Sequence, residues 1–487
     1  MTAATQSPEN TALARIGLRL SDWFEKWFPD AFVLALVVVG VVFVASVVVG
    51  VLDTGQWTGS GIGGFSVAAG SAVLDAAQWF GAGFWGLVAF TMQMSMIVVT
   101  GYAVATAPPV YRVVRLLATV PKTGRGAAAY VGLFAMLASL VSWSFSLIFS
   151  ALLAREVAHR VRGSDYRAIG AAAYLGVGSV WALGMSSSAA LIMATPASLP
   201  DSIKQITGTI PLSQTIGLWQ SLLIAALLIV VSMVVSFYSA PSAAHAKSMG
   251  DMGVTYAPAT TDLGKRATPG EWLEYSPLLT IVICVLGFGY LASEVLASGL
   301  GVLLDLNHYL FLFLMVGLLL HWRPKSFVQA IAASVTPVGG VLIQYPMYAG
   351  VVRVLTDSGL AEDISRFFVY ISNEHTFPVL VGVYSAFLGL FIPSAGGKWL
   401  LEAPYVLGAA TEHQVHLGWV VQTYNATEAL ANLIHPFWML PLVGILGLKA
   451  RDIVGYSMLQ FVVHVPLVLF LVWLLNYTLT YVPPVLP

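Results

Sequence analysis

From Ala31 to Leu52 the chain runs 22 residues without a charged side chain, longer than the roughly 20 needed to carry an α-helix across a hydrocarbon core about 30 Å thick. Several further stretches repeat the pattern. Only 9% of the residues are charged and 58% are apolar, against roughly 25% charged in an ordinary soluble domain. A water-soluble fold is therefore excluded, and the reading is an all-α polytopic membrane protein. The net charge of −1 gives no reason to expect a nucleic-acid partner. The single cysteine, Cys284, sits in an apolar run, so neither a disulfide framework nor a CxxC metal site is available. In residues 1–30, Arg15, Arg19 and Lys26 alternate with Asp22, Glu25 and Asp30 around Trp23, Phe24, Trp27 and Phe28. That pattern suits an interfacial amphipathic helix, and the run after it is too long for a signal-peptide core.

The bias of Lys and Arg toward cytoplasmic loops orients the spans. With the N-terminus inside, 31–52 exits, 53–83 is an external stretch, and 84–107 returns to Arg112, Arg115, Lys122 and Arg125. The next apolar run is followed at once by Arg155, Arg160, Arg162 and Arg167. A simple crossing would place four arginines outside. A re-entrant hairpin over 126–153, turning at Ser142-Trp143-Ser144-Phe145-Ser146, keeps them inside, and arms of about 12 residues, roughly 18 Å of helix, reach the midplane. Residues 168–197 then cross outward and 216–237 return. Residues 240–306 form a cytoplasmic loop and a linker helix that crosses outward over 277–296, after which 307–320 come back to Arg323 and Lys325. Following an interfacial stretch, 337–355 cross outward. A second hairpin over 377–410, interrupted at Pro393-Ser394-Ala395-Gly396-Gly397-Lys398, enters from outside; 417–448 cross inward, and 453–477 leave the C-terminus external. The scheme has nine transmembrane crossings and two hairpins, and it keeps 18 of the 22 basic residues inside, the exceptions being Lys204, Arg353, Arg366 and Lys398.

Internal similarity supports the same division. Gln93 and Gln344 lie 251 positions apart, as do Ser142 and Pro393, so residues 31–239 and 307–487 read as an inverted repeat of about five elements per half. Each half holds one hairpin and one discontinuous helix, and such a repeat places its site near the midplane, where the interruptions meet. Backbone freed from helix is tolerated there only when buried in protein or lining a cavity.

Candidate residues follow from those interruptions. Gly184-Met185-Ser186-Ser187-Ser188 combines a glycine with three hydroxyls, which suits an unwound segment holding a carboxylate or a cation; helix packing on small residues is the competing explanation. At the hairpin tips, Ser142, Ser144, Ser394, Gly396 and Gly397 let an anion approach helix N-termini. Lys398 supplies a full positive charge there, unless it snorkels or pairs with Glu402. Glu428, four residues before Asn432, is a carboxylate inside a span and so a functional hypothesis by default. With Asn425, Thr427 and Ser188 it forms the candidate set for a coupling proton or sodium ion. Gln93 and Gln344 either line the cavity or hydrogen-bond between helices. His413 and His416 lack a third ligand and read as loop residues. No HExxH, GxSxG or Walker sequence is present, so neither an enzyme nor a nucleotide-driven pump is expected.

At these interruptions the chain resembles the short-chain fatty acid transporter family, over nearly its whole length. The resemblance is carried by Trp27-Phe28-Pro29-Asp30, Phe90 to Gly101, Ala154 to Ala158, Gly163-Ser164-Asp165-Tyr166, Ala194-Thr195-Pro196, Phe377-Pro378, Pro436-Phe437-Trp438 and Arg451 to Tyr456. It implies membership of a wider ion-transporter superfamily with paired hairpins, homodimers and elevator movement. The expected function is symport of a short-chain fatty acid such as butyrate or acetoacetate across the cytoplasmic membrane, with no cofactor beyond the coupling ion. Transport of dicarboxylates or amino-acid-derived carboxylates, or an anion channel, is the alternative. The family's turn corresponds to Pro393 through Trp399, and its intramembrane Glu and Asn to Glu428 and Asn432. This chain departs from the pattern with Ala395 for Gly, Lys398 for His, and Ser142 and Ser144 for Asn and Gly.

Overall fold

In a computed structural model of the protein, the described residues are 10–53, 61–86, 88–196, 199, 201–256, 263–304, 306–392 and 395–484. They form helices and connecting loops, with no strand among them. The first, α1 (Ala12–Trp27), is amphipathic as the sequence predicts, but it is docked rather than only interfacial. Its face of Ala14, Gly17, Ser21 and Phe24 is buried. It packs against α11 (Trp219–Ser239) and α21 (Ala450–Asn476), so closely that a Cβ on Gly455 would lie 2.5 Å from the Ser21 backbone.

After α2 (Ala31–Asp53), α3 (Gly61–Gly86) occupies most of the stretch read from the sequence as an external connection. Glycine and alanine lend it little hydropathy, yet they allow close helix approach. A Cβ on Gly83 would come 2.4 Å from the Arg353 side chain, and one on Gly350 would come 2.5 Å from the Phe80 ring. Both contacts join α3 to α15 (Pro324–Asp357). That helix is continuous, where an interfacial stretch followed by a crossing from Pro337 was expected. Its first residue, Pro324, occupies a position where a missing N–H is harmless.

Between these lie α4 (Val88–Thr106) and α5 (Pro108–Leu117), then α6 (Gly124–Val141) and α7 (Trp143–Arg160), two helices that pack on one another and join at Ser142. Next come α8 (Tyr166–Leu175) and α9 (Ser188–Ala194), separated by unwound chain, then α10 (Asp201–Thr207) and α11. The connecting region holds α12 (Glu271–Tyr275) and α13 (Leu278–Ser298), and α14 (Leu306–His321) leads into α15. The remainder is α16 (Leu360–Tyr370), α17 (Phe377–Gly389), α18 (Ala395–Glu412), α19 (Leu417–Ile434), α20 (Pro436–Leu446) and α21.

Six helical spans among the described residues are long and apolar enough to cross a membrane, or eight if two sharply bent pairs each count as one. Leu36, Val37, Val41 and Val44 on α2, and Val282, Val285 and Leu286 on α13, stand exposed. Such surfaces suit lipid, and the chain is a multi-pass membrane protein. At the centre, every residue of α19 from Leu417 to Leu433 is buried. One apolar cluster gathers α6, α7, α8, α20 and α21, a second gathers α9, α17 and α18, and α19 contributes to both, through Trp419 and Leu430 to the first and Val421 and Tyr424 to the second.

Charge ties the periphery to this core. Arg167, 1% exposed, lies 2.7 Å from Asp165 and 2.6 Å from Glu25, and Glu25 in turn lies 2.8 Å from Lys247. Asp165 also caps α8, accepting from the backbone N–H groups of Arg167 and Ala168. The guanidinium thus joins α1 to α8, and Lys247 adds the loop after α11 through Glu25 and Asp165. Removing it leaves Asp165 buried without its countercharge, which costs about 3–5 kcal/mol for a buried pair. Arg167→Ala should therefore lower the unfolding midpoint of the detergent-purified protein by several degrees, and a thermal-shift assay with an unchanged midpoint would show that the network carries no such weight.

Candidate functional site

Four helix interruptions meet in the structure. The first is Ser142, which ends α6 by donating its N–H to the Ala138 carbonyl (2.9 Å) and begins α7 by accepting the Phe145 N–H on its hydroxyl (3.3 Å). The same hydroxyl lies 2.6 Å from the Tyr309 hydroxyl and 3.3 Å from that of Ser144.

The second follows α8, which loosens through a π turn at Gly176–Val180 and a 3₁₀ turn at Trp181–Leu183 before unwinding at 184–187. Gly184 is required there, because a Cβ would lie 2.3 Å from the Leu140 carbonyl oxygen. That carbonyl instead accepts the Met185 N–H at 2.7 Å. Ser186 accepts the Trp143 N–H at 2.9 Å and donates to the Ser139 carbonyl at 2.7 Å. The unwound segment is thereby stitched to the tip between α6 and α7.

The third interruption separates α17 from α18 at 390–394. Its Pro393 and Ser394 lie outside the described residues. The fourth is His435, between α19 and α20, where the chain bends by 54°. The His435 Nδ1 accepts the Phe437 N–H at 3.2 Å, which leaves Nε2 as the protonated nitrogen, donating to the Leu390 carbonyl at 3.0 Å. One imidazole therefore bridges the third and fourth interruptions.

Between them lies a cavity of about 330 Å³. Its polar lining comes from Ser142, Ser144, Ser186, Ser188, Tyr309 and Asn432, with the first turn of α18 at Ala395, Gly396 and Gly397. Trp143, Trp181, Trp438, Val141, Val177 and Leu191 supply apolar walls. None of the described lining residues carries a charge. Both amide atoms of Asn432 and the indole nitrogens of Trp181 and Trp438 are buried without a hydrogen-bond partner. Buried polar groups are normally satisfied, so these atoms are available to hydrogen-bond whatever enters the cavity. The first turns of α7 and α18 both line it, and helix N-termini favour negative charge.

The sequence-predicted residues divide at this point. Ser142, Ser144, Ser186, Ser188, Gly396, Gly397 and Asn432 are brought together. Ser187 instead caps α9, accepting the Ala190 N–H. Asn425 donates to Gln422, whose amide reaches Ser221 on α11 at 2.8 Å. Thr427 donates to the Thr423 carbonyl at 2.8 Å and turns its methyl toward Gly382. Neither reaches the cavity. Gln93 donates to Asn307 at 2.7 Å, and Gln344 lies beside Pro29, Asp30 and Arg451, so neither is a lining residue.

Lys398 requires the largest correction. It does not present its charge to the cavity but is fully buried, 2.7 Å from Glu428 and 3.4 Å from Glu402. It donates to both the carbonyl and the hydroxyl of Ser385 at 2.7 Å, and it stands 4.5 Å over the Tyr424 ring. An ammonium holds this place because two carboxylates and a carbonyl converge on it from α17, α18 and α19. The aromatic lining and Tyr309 escaped the sequence reading: Trp143 and Trp438 stood beside residues already singled out, whereas nothing marks Tyr309 within an ordinary apolar helix.

Lys398→Met should destabilise the protein by about 3–5 kcal/mol, since it leaves buried carboxylate charge uncompensated. Adding Glu428→Gln should recover part of that loss. A double-mutant cycle on the unfolding midpoint in detergent checks this, and strict additivity of the two changes would refute the pairing.

The family model described as short chain fatty acid transporter matches residues 12–475. A relative from Escherichia coli strain K12 is 36% identical over 374 residues, covering 77% of this chain and 84% of its own. One from Haemophilus influenzae is 31% identical over 461 residues, covering 93% and 98%. Both bear the name "Putative short-chain fatty acid transporter". Among solved structures, the Alcanivorax borkumensis YdaH transporter is similar at 15% identity and a TM-score of 0.43, covering 94% of this chain and 100% of its own. With the match extending from α1 to the end of α21, the chain belongs to the short-chain fatty acid transporter family.

Proposed function

We propose that the protein is a symporter that carries a short-chain monocarboxylate, of the size of butyrate or acetoacetate, through the cavity between the four interruptions, driven by a proton or a sodium ion. One observation carries this reading: an uncharged cavity lined by two helix N-termini and by buried, unpartnered N–H donors beside apolar and aromatic walls. A single carboxylate is satisfied by such donors, and a short alkyl tail by the indoles and Val177. A dicarboxylate would need a second set of donors or a fixed cation, and the described lining supplies no cation. The paired helices α6/α7 and α17/α18 act in this reading as re-entrant hairpins of an inverted repeat. The remaining spans make nine crossings of the cytoplasmic membrane, with the N-terminus inside and the C-terminus outside. Two copies assemble as a homodimer and move the site by an elevator motion.

Uptake of radiolabelled butyrate or acetoacetate into proteoliposomes, under imposed pH or sodium gradients, tests the function. Saturable accumulation above empty vesicles is expected. Uptake equal to that of empty vesicles would sink it, and a non-saturating flux indifferent to either gradient would identify an anion channel. Within the site, a hydrogen bond to a charged group is worth about 1.5–3 kcal/mol, so Asn432→Leu or Trp181→Phe should each raise the apparent KM by about ten-fold or more. An unaltered KM would remove the residue concerned from the substrate's contacts.

A further inference from the structure

Lys398, Glu402 and Glu428 form a closed set of charges with exposures of 0%, 1% and 0%. One ammonium lies between two carboxylates, 2.7 Å from Glu428 and 3.4 Å from Glu402. With all three groups ionised the set carries a net charge of −1 and has no contact with water. A charge of that kind is neutralised rather than kept in apolar surroundings. The other groups facing Glu402 are phenols, Tyr384 on α17 and Tyr424 on α19. On α16, Glu362 and Arg366 pair with each other next to Tyr405, and Lys204 on α10 is only half-buried. No second cation closes the balance among these.

The missing positive charge has two possible sources, a proton or a metal cation such as sodium. The place a sodium ion would take is already filled. Around the Lys398 Nζ stand the Ser385 carbonyl and hydroxyl, both at 2.7 Å, and the Glu428 carboxylate at 2.7 Å. These are the hard oxygen ligands that a small cation needs, and a tethered ammonium occupies them. Of the two carboxylates Glu428 lies closer to the ammonium, which leaves Glu402 the less engaged of the pair. The set also lies next to the cavity along the chain: Lys398 follows the lining residue Gly397, and Glu428 precedes the lining residue Asn432 by one helical turn.

We infer that Glu402 is the proton-carrying residue of the transport cycle, so that the driving ion is a proton, held beside Lys398 and Glu428 whenever a substrate carboxylate fills the cavity. The step is a protonation alone: the Glu402 carboxylate takes up one proton from water to become the carboxylic acid and returns it when the substrate leaves. A substrate anion adds negative charge beside the set, so its binding and the proton's uptake favour each other by linkage. Lys398 and Glu428 are positioning residues in this scheme, because they act through Glu402.

This inference rests on the carboxylate reading of the cavity, and its test separates the two. Butyrate binding to the detergent-purified full chain is followed by titration calorimetry in two buffers of different ionisation enthalpy, across the neutral and alkaline range, with and without sodium chloride. The wild-type protein should take up about one proton per bound butyrate at the alkaline end, where its Kd rises about ten-fold per pH unit. Sodium should change nothing at constant pH. Glu402→Gln should bind butyrate with no linked proton and a flat pH profile. Binding without proton uptake in the wild type, binding strengthened by sodium, or a normal proton count in Glu402→Gln would each overturn the assignment and leave the substrate reading standing. Absence of butyrate binding by the wild type at every pH would overturn both. If Glu402→Gln does not yield monodisperse protein, Glu402→Asp keeps a titrating group and should shift the pH midpoint of binding; an unmoved midpoint overturns the assignment.

Discussion

A helix interrupted inside an apolar bundle leaves up to four N–H groups and four carbonyls without intrahelical partners, and at membrane depth water is not there to take them. The arrangement around the cavity answers that constraint. The Leu140 carbonyl at the end of α6 accepts the Met185 N–H, Ser186 serves Trp143 and Ser139 together, and Ser146 donates to the Ala135 carbonyl at 2.6 Å. On the other side, His435 serves Phe437 and Leu390, and the Tyr424 hydroxyl donates to the Ala395 carbonyl. The interruptions are thus stitched to one another as well as to the ends of their own helices.

That mutual satisfaction explains the heavily polar and fully buried α19. A helix carrying Gln422, Thr423, Asn425, Thr427, Glu428 and Asn432 is expensive inside a membrane unless each side chain meets a partner. Asn425 and Gln422 find theirs toward α11, Thr427 within its own helix, and Glu428 in Lys398. The side chains of Thr423 and Asn432 have no partner, and of the two only Asn432 lines the cavity. Along one helix, polar residues thus pass from structural partners at one end to a cavity-lining amide at the other.

The same helix relates charge to cavity. Lys398 reaches from α18 to Ser385 on α17 and to Glu428 on α19, which fastens the paired helices α17 and α18 to the central spine. Its burial keeps full charge out of the cavity, which is left to neutral donors and helix ends. In the proposed transport cycle this separates two tasks: dipoles and N–H groups hold a carboxylate, while a charge set one turn away holds the driving ion.

Much of this was legible in the sequence. The apolar run of Ala31 to Leu52 determined the membrane setting, and the residues at 142–146 and 184–188 marked where helix would fail, because backbone preference is a local property. Glu428 and Asn432 stood out because a polar group in an apolar run carries a free-energy cost wherever the chain goes. Other features were decided only by the tertiary structure. The Gly- and Ala-rich α3 is weak in hydropathy and becomes intelligible only against Gly350 on α15, since close packing depends on the partner helix. Tyr309 joins the site from a helix with no local mark. Lys398, in a glycine-rich turn, reads either as a free cation or as a partner of Glu402, and only the fold shows Glu428, 30 residues on, 2.7 Å away. A side chain's type is written in the sequence, but whether its charge is spent on the protein or offered to a ligand depends on which distant groups the fold brings within reach.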